Sequence, residues 1–243
     1  MSQAHHNIYQ YPIETYLQAL RDCYKKSLFW TAQRFLGYKD ITLNTHGPIV
    51  SSLESASKRK LICVPRGTFK SSIASVSYPI WLLMNNPNLR ILIDSELYTN
   101  SKNFLREIKG HLESPRFIEL FGNWKSRTWN DSEIILAHRT KKYKEPSITV
   151  GGIGTTKVGQ HYDYIIGDDY NSPANSGTPE ARKKVIDHYK YNTSILDVSG
   201  TYAVIGTRYA EDDIIGWVLQ NELGLANEAK LGSMQRHGGV IYV

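Results

Sequence analysis

Apolar residues along this chain recur with two periods, and the alternation between those periods lays out its elements. Over residues 13–35, Leu17, Leu20, Tyr24, Leu28 and Trp30 stand mostly three or four apart with Arg21, Lys25 and Lys26 between them, predicting an amphipathic helix that Gly37 ends. A short helix is expected over 48–54, and Lys58-Arg59-Lys60 reads as a solvated basic lip before the apolar run 61–64, a buried strand. Residues 71–84 predict a helix that Pro79 must kink, 85–88 a turn, and 90–94 a second buried strand. A helix over 95–113 follows, with Phe104, Leu105, Ile108 and Leu112 on one side. Residues 115–150 are less regular, with strands expected over 133–137 and 147–153 as a hairpin insertion. The glycine-rich stretch 151–159 reads as a mobile connecting loop, because no helix follows it as a dinucleotide fingerprint requires.

The second half repeats the same rhythm. An apolar strand over 162–169 ends in two adjacent acids, a turn-rich link covers 171–178, and Thr178 and Pro179 are suited to cap and open a helix. A further buried strand is expected over 201–206, a helix opened by Asp212 and Asp213, and a last strand over 240–243. Strands alternating with helices predict an α/β fold with a mainly parallel central sheet between helices and a helical N-terminal segment.

Composition narrows the class. The chain has 243 residues of which 41% are hydrophobic, enough to fill a core, and its 29 Lys and Arg against 23 Asp and Glu leave a net charge of +6 that suits a polyanionic partner. The basic run Arg139-Thr140-Lys141-Lys142-Tyr143-Lys144 reads either as a nucleic-acid backbone contact or as a solvated hairpin tip. Two cysteines are too few for a disulfide framework, so a reducing compartment is expected. The longest nearly apolar stretch, 73–84, is too short and too interrupted to span a membrane, and a soluble intracellular protein is expected.

The candidate chemistry begins where the first strand ends. Pro65-Arg66-Gly67-Thr68-Phe69-Lys70-Ser71-Ser72 is a turn leading into a helix start, where unpaired backbone N–H groups and the helix dipole favour phosphate. Lys70 supplies a point charge to outer phosphates and Ser71 a hydroxyl to Mg²⁺. In the pattern G-x-x-x-x-G-K-[ST] the two glycines would fall at Val64 and Phe69, so only Gly67 gives this turn a free φ, and an ordinary strand-to-helix turn with an exposed lysine is the competing reading. The second half of a nucleotide site is the pair at the end of the 162–169 strand. Ligands of parallel sheets gather at the strands' carboxyl ends, and adjacent acids there point to different sides. Asp168 would hold Mg²⁺, directly or through water, and Asp169 would orient and activate the attacking water, the competing reading being a strand end with two solvated acids that help start the next helix. Thr207 and Arg208 end the next strand where they can sense the γ-phosphate.

Taken together, residues 64–72, 86–93, 159–169, and 205–209 with Asp212 and Asp213 make the chain resemble, over roughly Lys58 to Leu219 and so most of its length, the ATPase domain of the large terminase subunit of tailed bacteriophages. The four stretches stand as a deviant Walker A, the lead into the second strand, a Walker B and a coupling motif. The resemblance implies an ASCE-type P-loop ATPase using ATP and Mg²⁺, with residues 65–72 binding ATP, Arg66 reaching the γ-phosphate, and Arg66, Lys70 and Asp169 as the catalytic set. Ser71 and Asp168 would hold the metal, and Thr207 and Arg208 would couple hydrolysis to movement. Phe69 and Asp169 depart from the small residue and the glutamate usual in the family. The implied partners are double-stranded DNA, the portal protein of the prohead, the small terminase subunit and further copies of the chain in a ring, with no membrane, in the host cell cytoplasm. In that scheme residues 1–57 form a helical segment on an ATPase core of residues 58–243, and the family's nuclease domain is absent, so the chain should not cut DNA by itself. A helicase- or recombinase-like motor shares these parts, and a degenerate scaffold would explain the missing glycines but has no need of Lys70, Ser71, Asp168 and Asp169 together.

Overall fold

Side chains of the central strands point alternately to opposite faces, and on both faces they are apolar. This pattern places the strands between two helical layers. The computed structural model describes residues 13–222, 235–237 and 240–242. Its sheet contains β1 (Arg59–Cys63), β2 (Ile91–Ser95), β3 (Lys125–Trp129), β4 (Glu133–Leu136), β5 (Ile148–Gly152), β6 (Tyr162–Asp168), β7 (Leu196–Gly206), β8 (Gln235–His237) and β9 (Val240–Tyr242). Their order is β3-β4-β5-β2-β6-β7-β1-β9-β8. Pairings from β5 through β9 are parallel, whereas β3, β4 and β8 join antiparallel at the edges.

One face of the sheet, with Ile62, Ile93, Ile166 and Ile205, packs under α1 (Ile13–Lys26), α2 (Leu28–Trp30), α3 (Leu43–Glu54), α4 (Tyr78–Asn85), α5 (Tyr98–Leu112) and α6 (Pro115–Phe121). Neighbouring residues Leu61, Leu92, Ile165 and Val204 face the other way. Past the short α7 (Pro173–Ser176), they meet α8 (Pro179–Ser194) and α9 (Ile214–Asn221) through Val185, Tyr189, Ile215 and Val218. The N-terminal helices share the first core continuously with the strands: Tyr24, Leu28 and Phe35 belong to the same buried cluster as Ile62 and Ile73.

Several elements differ from the sequence expectation, each for a local reason. The N-terminal helix is broken at Ser27, whose hydroxyl accepts from the Trp30 amide and starts α2, followed by a π-helical turn, Thr31–Phe35. Helix α3 begins ahead of Pro48 and carries it inside. Pro79 stands in the first turn of α4 and not in the middle of one regular helix. The turn before it, Ser72–Ser77, is π-helical, the Tyr78 amide reaches back to the Ile73 carbonyl, and the widened turn absorbs the proline at the start of α4. The two strands expected over 133–153 do pair antiparallel, as β4 and β5, but they are no insertion: β5 is a parallel member of the central sheet beside β2, and β3 adds a further antiparallel strand on β4. Gly151 and Gly152 lie in β5 rather than in a loop, paired with Asp94 and Ser95 of β2, and must be glycine there because a Cβ would come within 2.7 Å of the Asp94 carboxylate at the first and 2.6 Å of the Tyr98 amide at the second. Of the last expected strand, Val243 lies outside the described residues.

Lys60 is not part of a solvated lip. It is 3% exposed, and its ammonium donates to the Ser52 carbonyl at 2.7 Å and to the carbonyl and hydroxyl of Ser55 at 2.8 and 2.9 Å, closing the C-terminal end of α3. Desolvation, with Lys58 nearby, lowers its pKa to about 8.

Gly167, in β6, has no room for a side chain: a Cβ would lie 2.3 Å from the ring of Tyr170. Gly167→Ala is expected to destabilise the protein by roughly 1–3 kcal/mol through overpacking. Thermal melting would register about 2–4 °C per kcal/mol in a chain of this size, and an unchanged melting temperature would mean that the ring yields at no cost.

Candidate active site

The register aligns the carboxyl ends of four neighbouring strands. Cys63 of β1 stands opposite Gly206 of β7, Ile205 opposite Asp168 of β6, and Asp168 opposite Ser95 of β2. β7 thus lies between the strand that leads into the phosphate-type loop and the strand that carries the acids. That spacing lets side chains from the two outer strands meet over the end of β7.

Two turns of backbone build the loop. Gly67 has φ +80°, and the Thr68 hydroxyl donates to the Pro65 carbonyl at 2.8 Å. Phe69 takes φ +51°, in the left-handed region that the glycine of the usual pattern fills without strain. Its ring meets His46 of α3 edge-on, with centroids 5.8 Å apart. Helical geometry begins at Lys70 and Ser71, and Ser72 opens the π-helical turn, its carbonyl accepting from the Ser77 hydroxyl at 2.8 Å.

Lys70 is not an exposed turn lysine. Only 5% of it is accessible, and its Nζ lies 3.1 Å from Oδ1 of Asp169 and 3.1 Å from Oγ1 of Thr207. Thr207 in turn donates to the Val64 carbonyl at 3.2 Å, tying the end of β7 to the loop. Asp169 adopts φ +46°, which aspartate tolerates better than most residues, with its amide held by the Ile205 carbonyl at 2.8 Å. This turn sends the two carboxylates apart, Asp169 half exposed towards Lys70 and Asp168 into the interior at 1% exposure.

Asp168 accepts a hydrogen bond from the Ser75 hydroxyl at 2.5 Å through Oδ2, while its Oδ1 is buried without a partner. Burial pushes its pKa up to about 6; Ser75, Ser71 and Lys70 pull it down, and the neighbouring Asp169 charge adds to the rise. A buried carboxylate with an unmet oxygen beside two hydroxyls is chemically suited to a hard cation. Among the described residues, no group of three or more His, Cys, Asp or Glu side chains is placed to hold a metal. The buried carboxylate and the two hydroxyls fit Mg²⁺, which commonly takes one or two carboxylates and completes its shell with water and phosphate oxygens. Ser75 is no part of the motif; its spacing of one helical turn from Ser71 is the signal that puts both hydroxyls on one face.

The arginines lie at the rim. Arg66 is exposed, with its guanidinium hydrogen-bonded to the Tyr209 hydroxyl and 5.7 Å from that ring's centroid. Tyr209 belongs to the 205–209 stretch of the coupling motif, but its contact with Arg66 had no signal in the sequence. Arg208 donates to the Ala210 carbonyl at 3.3 Å and the Glu211 carbonyl at 3.0 Å, bracing the loop before α9. Asp213 caps that helix, accepting from the amides of Tyr209, Ala210 and Gly216, while Asp212 pairs with Arg182 of α8 at 2.8 Å. Away from the site, Arg139 and Arg90 both stack on Tyr143, at 4.9 and 4.7 Å, so part of the basic run folds onto an aromatic ring. No described helix is long and apolar enough to cross a membrane.

No protein-family model matches this chain, and no curated protein is similar to it in sequence. Among solved structures it is similar to an arginine-to-alanine mutant of the large terminase ATPase domain of Thermus phage P74-26, at 15% identity and a TM-score of 0.53. The likeness covers 86% of this chain and 82% of that one. At this identity the likeness speaks for the fold, and the chain has a terminase-like P-loop ATPase fold, a mainly parallel sheet between helices.

Proposed function

We propose that this chain is the ATP-hydrolysing motor of a viral terminase large subunit and drives double-stranded DNA into a prohead. The observation that carries the proposal is the buried Lys70 at a helix start, 3.1 Å from Asp169 and beside an Asp168 whose inner oxygen has no partner. A lysine held between a hydroxyl and a carboxylate is poised to exchange that carboxylate for phosphate oxygens. The amides of the helix start at Lys70 and Ser71 add donors for the same phosphates. Asp168 and Ser71 would hold Mg²⁺, which when bound neutralises charge on the phosphates. Released from Lys70, Asp169 orients a water at the γ-phosphorus and takes its proton as the bond to the diphosphate breaks. Thr207, bonded to Lys70, reports the state of that lysine to β7 and to the loop before α9. The test is ATP turnover by the purified chain with Mg²⁺: EDTA should abolish it, and absence of turnover with DNA and portal present would reject the reading.

Arg66 supports a second expectation about the same site. An arginine on the transferring phosphoryl group is worth roughly 10³ to 10⁵ in rate, and in a ring a neighbouring copy can supply another. We expect specific activity to climb with protein concentration, or on adding portal and DNA, and Arg66→Ala to stay inactive under all those conditions. High activity independent of concentration would mean that one chain holds the full catalytic set.

A further inference from the structure

Beneath the two acids lies a second polar cluster, sealed from solvent. Asp94 of β2 is 1% exposed, and its Oδ2 accepts from the Tyr170 hydroxyl at 3.0 Å, His188 Nε2 at 2.6 Å and Asn192 Nδ2 at 2.5 Å. Tyr170 and Tyr202 of β7 share a hydroxyl contact of 2.9 Å, and Asn192 reaches the Tyr170 hydroxyl at 3.1 Å. His188 and Asn192 are one turn apart on α8, so a single helix face delivers both donors. Burial holds both tyrosine hydroxyls above the ordinary phenol range, so they remain protonated.

A carboxylate buried this deeply, its Oδ2 met by three donors and its Oδ1 by none, costs several kcal/mol, and an apolar group would fill the space more cheaply. What the cluster fixes is the turn around the acids. Tyr170 directly follows Asp169, and its ring fills the space over Gly167, where a Cβ would sit 2.3 Å away. The Tyr170 carbonyl is held by Asn175 Nδ2 at 2.7 Å, and Asp94 and Tyr202 come from the strands on either side of β6. The chain leaving β6 is thus anchored just beyond the residue at φ +46° that aims the two carboxylates apart.

We propose that Asp94, Tyr170, His188 and Asn192 form a clamp that positions Asp168 and Asp169, making α8 part of the support of the hydrolytic site. The proposal rests on the ATPase reading, and its residues are positioning residues because none touches the reacting groups. Tyr170→Phe keeps the ring over Gly167 and removes only the hydroxyl. If the clamp operates, kcat for ATP falls by about 10- to 100-fold, since small misplacement of a catalytic group is costly. KM, governed by the loop and Lys70, moves by less than about threefold. His188→Leu should act alike, and His188→Gln, which retains a donor, should recover most of the rate. Amide hydrogen exchange of the full chain without nucleotide gives a readout independent of turnover. In Tyr170→Phe, exchange over residues 169–172 should rise by at least about tenfold while β1 is unchanged. Exchange that is unaltered there, or raised equally in β1, would overturn the clamp, as would an unaltered kcat or failure of glutamine to outperform leucine. A wild-type chain that turns over no ATP with DNA and portal present would reject the ATPase reading, and the exchange pattern would still decide whether the clamp exists.

Discussion

Lys70→Ala is expected to reduce ATP turnover by at least about 10²- to 10³-fold, the scale of losing a preorganised charge that acts on the transition state. The fold should survive. Lys70 is buried, but its partner Asp169 is half exposed and can turn to water when the ammonium is gone, so the stability change should be about 1 kcal/mol or less. Thr207 keeps its bond to the Val64 carbonyl, leaving β7 and the loop connected. Circular dichroism and thermal melting would check the fold, and a turnover assay the site. Undiminished turnover in a folded variant would mean that the charge near Asp169 serves structure and not phosphate.

The adjacent acids should fail differently when each is made an amide. Asp169→Asn keeps a residue that tolerates φ +46°, so the turn is retained and ATP still binds, while loss of the proton acceptor slows turnover by roughly 10²- to 10⁴-fold. Asp168→Asn places a neutral amide in the interior next to Ser75, where a cation would otherwise satisfy the unmet oxygen. Mg²⁺-dependent nucleotide binding should weaken by at least the roughly 10- to 100-fold that loss of an outer partner to a metal ligand costs. Titrating a fluorescent ATP analogue against Mg²⁺, alongside turnover, separates the two. Identical losses of binding and turnover in both variants would remove the division of roles.

The features legible in the sequence were those set by neighbouring residues. The apolar runs 61–64, 90–94, 162–169 and 201–206 announced parallel strands, and the turn into Lys70-Ser71 and the pair Asp168-Asp169 announced the two halves of the candidate site. The Thr178 and Pro179 helix start was legible for the same reason: capping is a matter of a few adjacent groups. Phe69 illustrates the limit of a motif read by letters. The pattern asks for glycine because the backbone needs a positive φ, and the structure gives phenylalanine that same conformation, so the requirement lay in the geometry and not in the residue type.

Tertiary structure alone decided what depends on contacts between distant segments. Strand order placed β7 between β1 and β6 and so brought Lys70, Asp169 and Thr207 together, whereas hydrophobic periodicity specifies which face is buried and is silent on which strand is the neighbour. Burial depth likewise turned Lys60 from a surface charge into a helix cap and left Asp168 with one unmet oxygen. The contacts of Ser75, His188 and Asn192 carried no local signal, because a hydroxyl, imidazole or amide in a helix reads as surface until the sheet closes over it. The residue types and their spacing determined that strands would deliver a lysine and two acids to turns; packing across the sheet determined that those turns meet at one end, with polar partners in the low-dielectric interior where each charge acts most strongly on its neighbour.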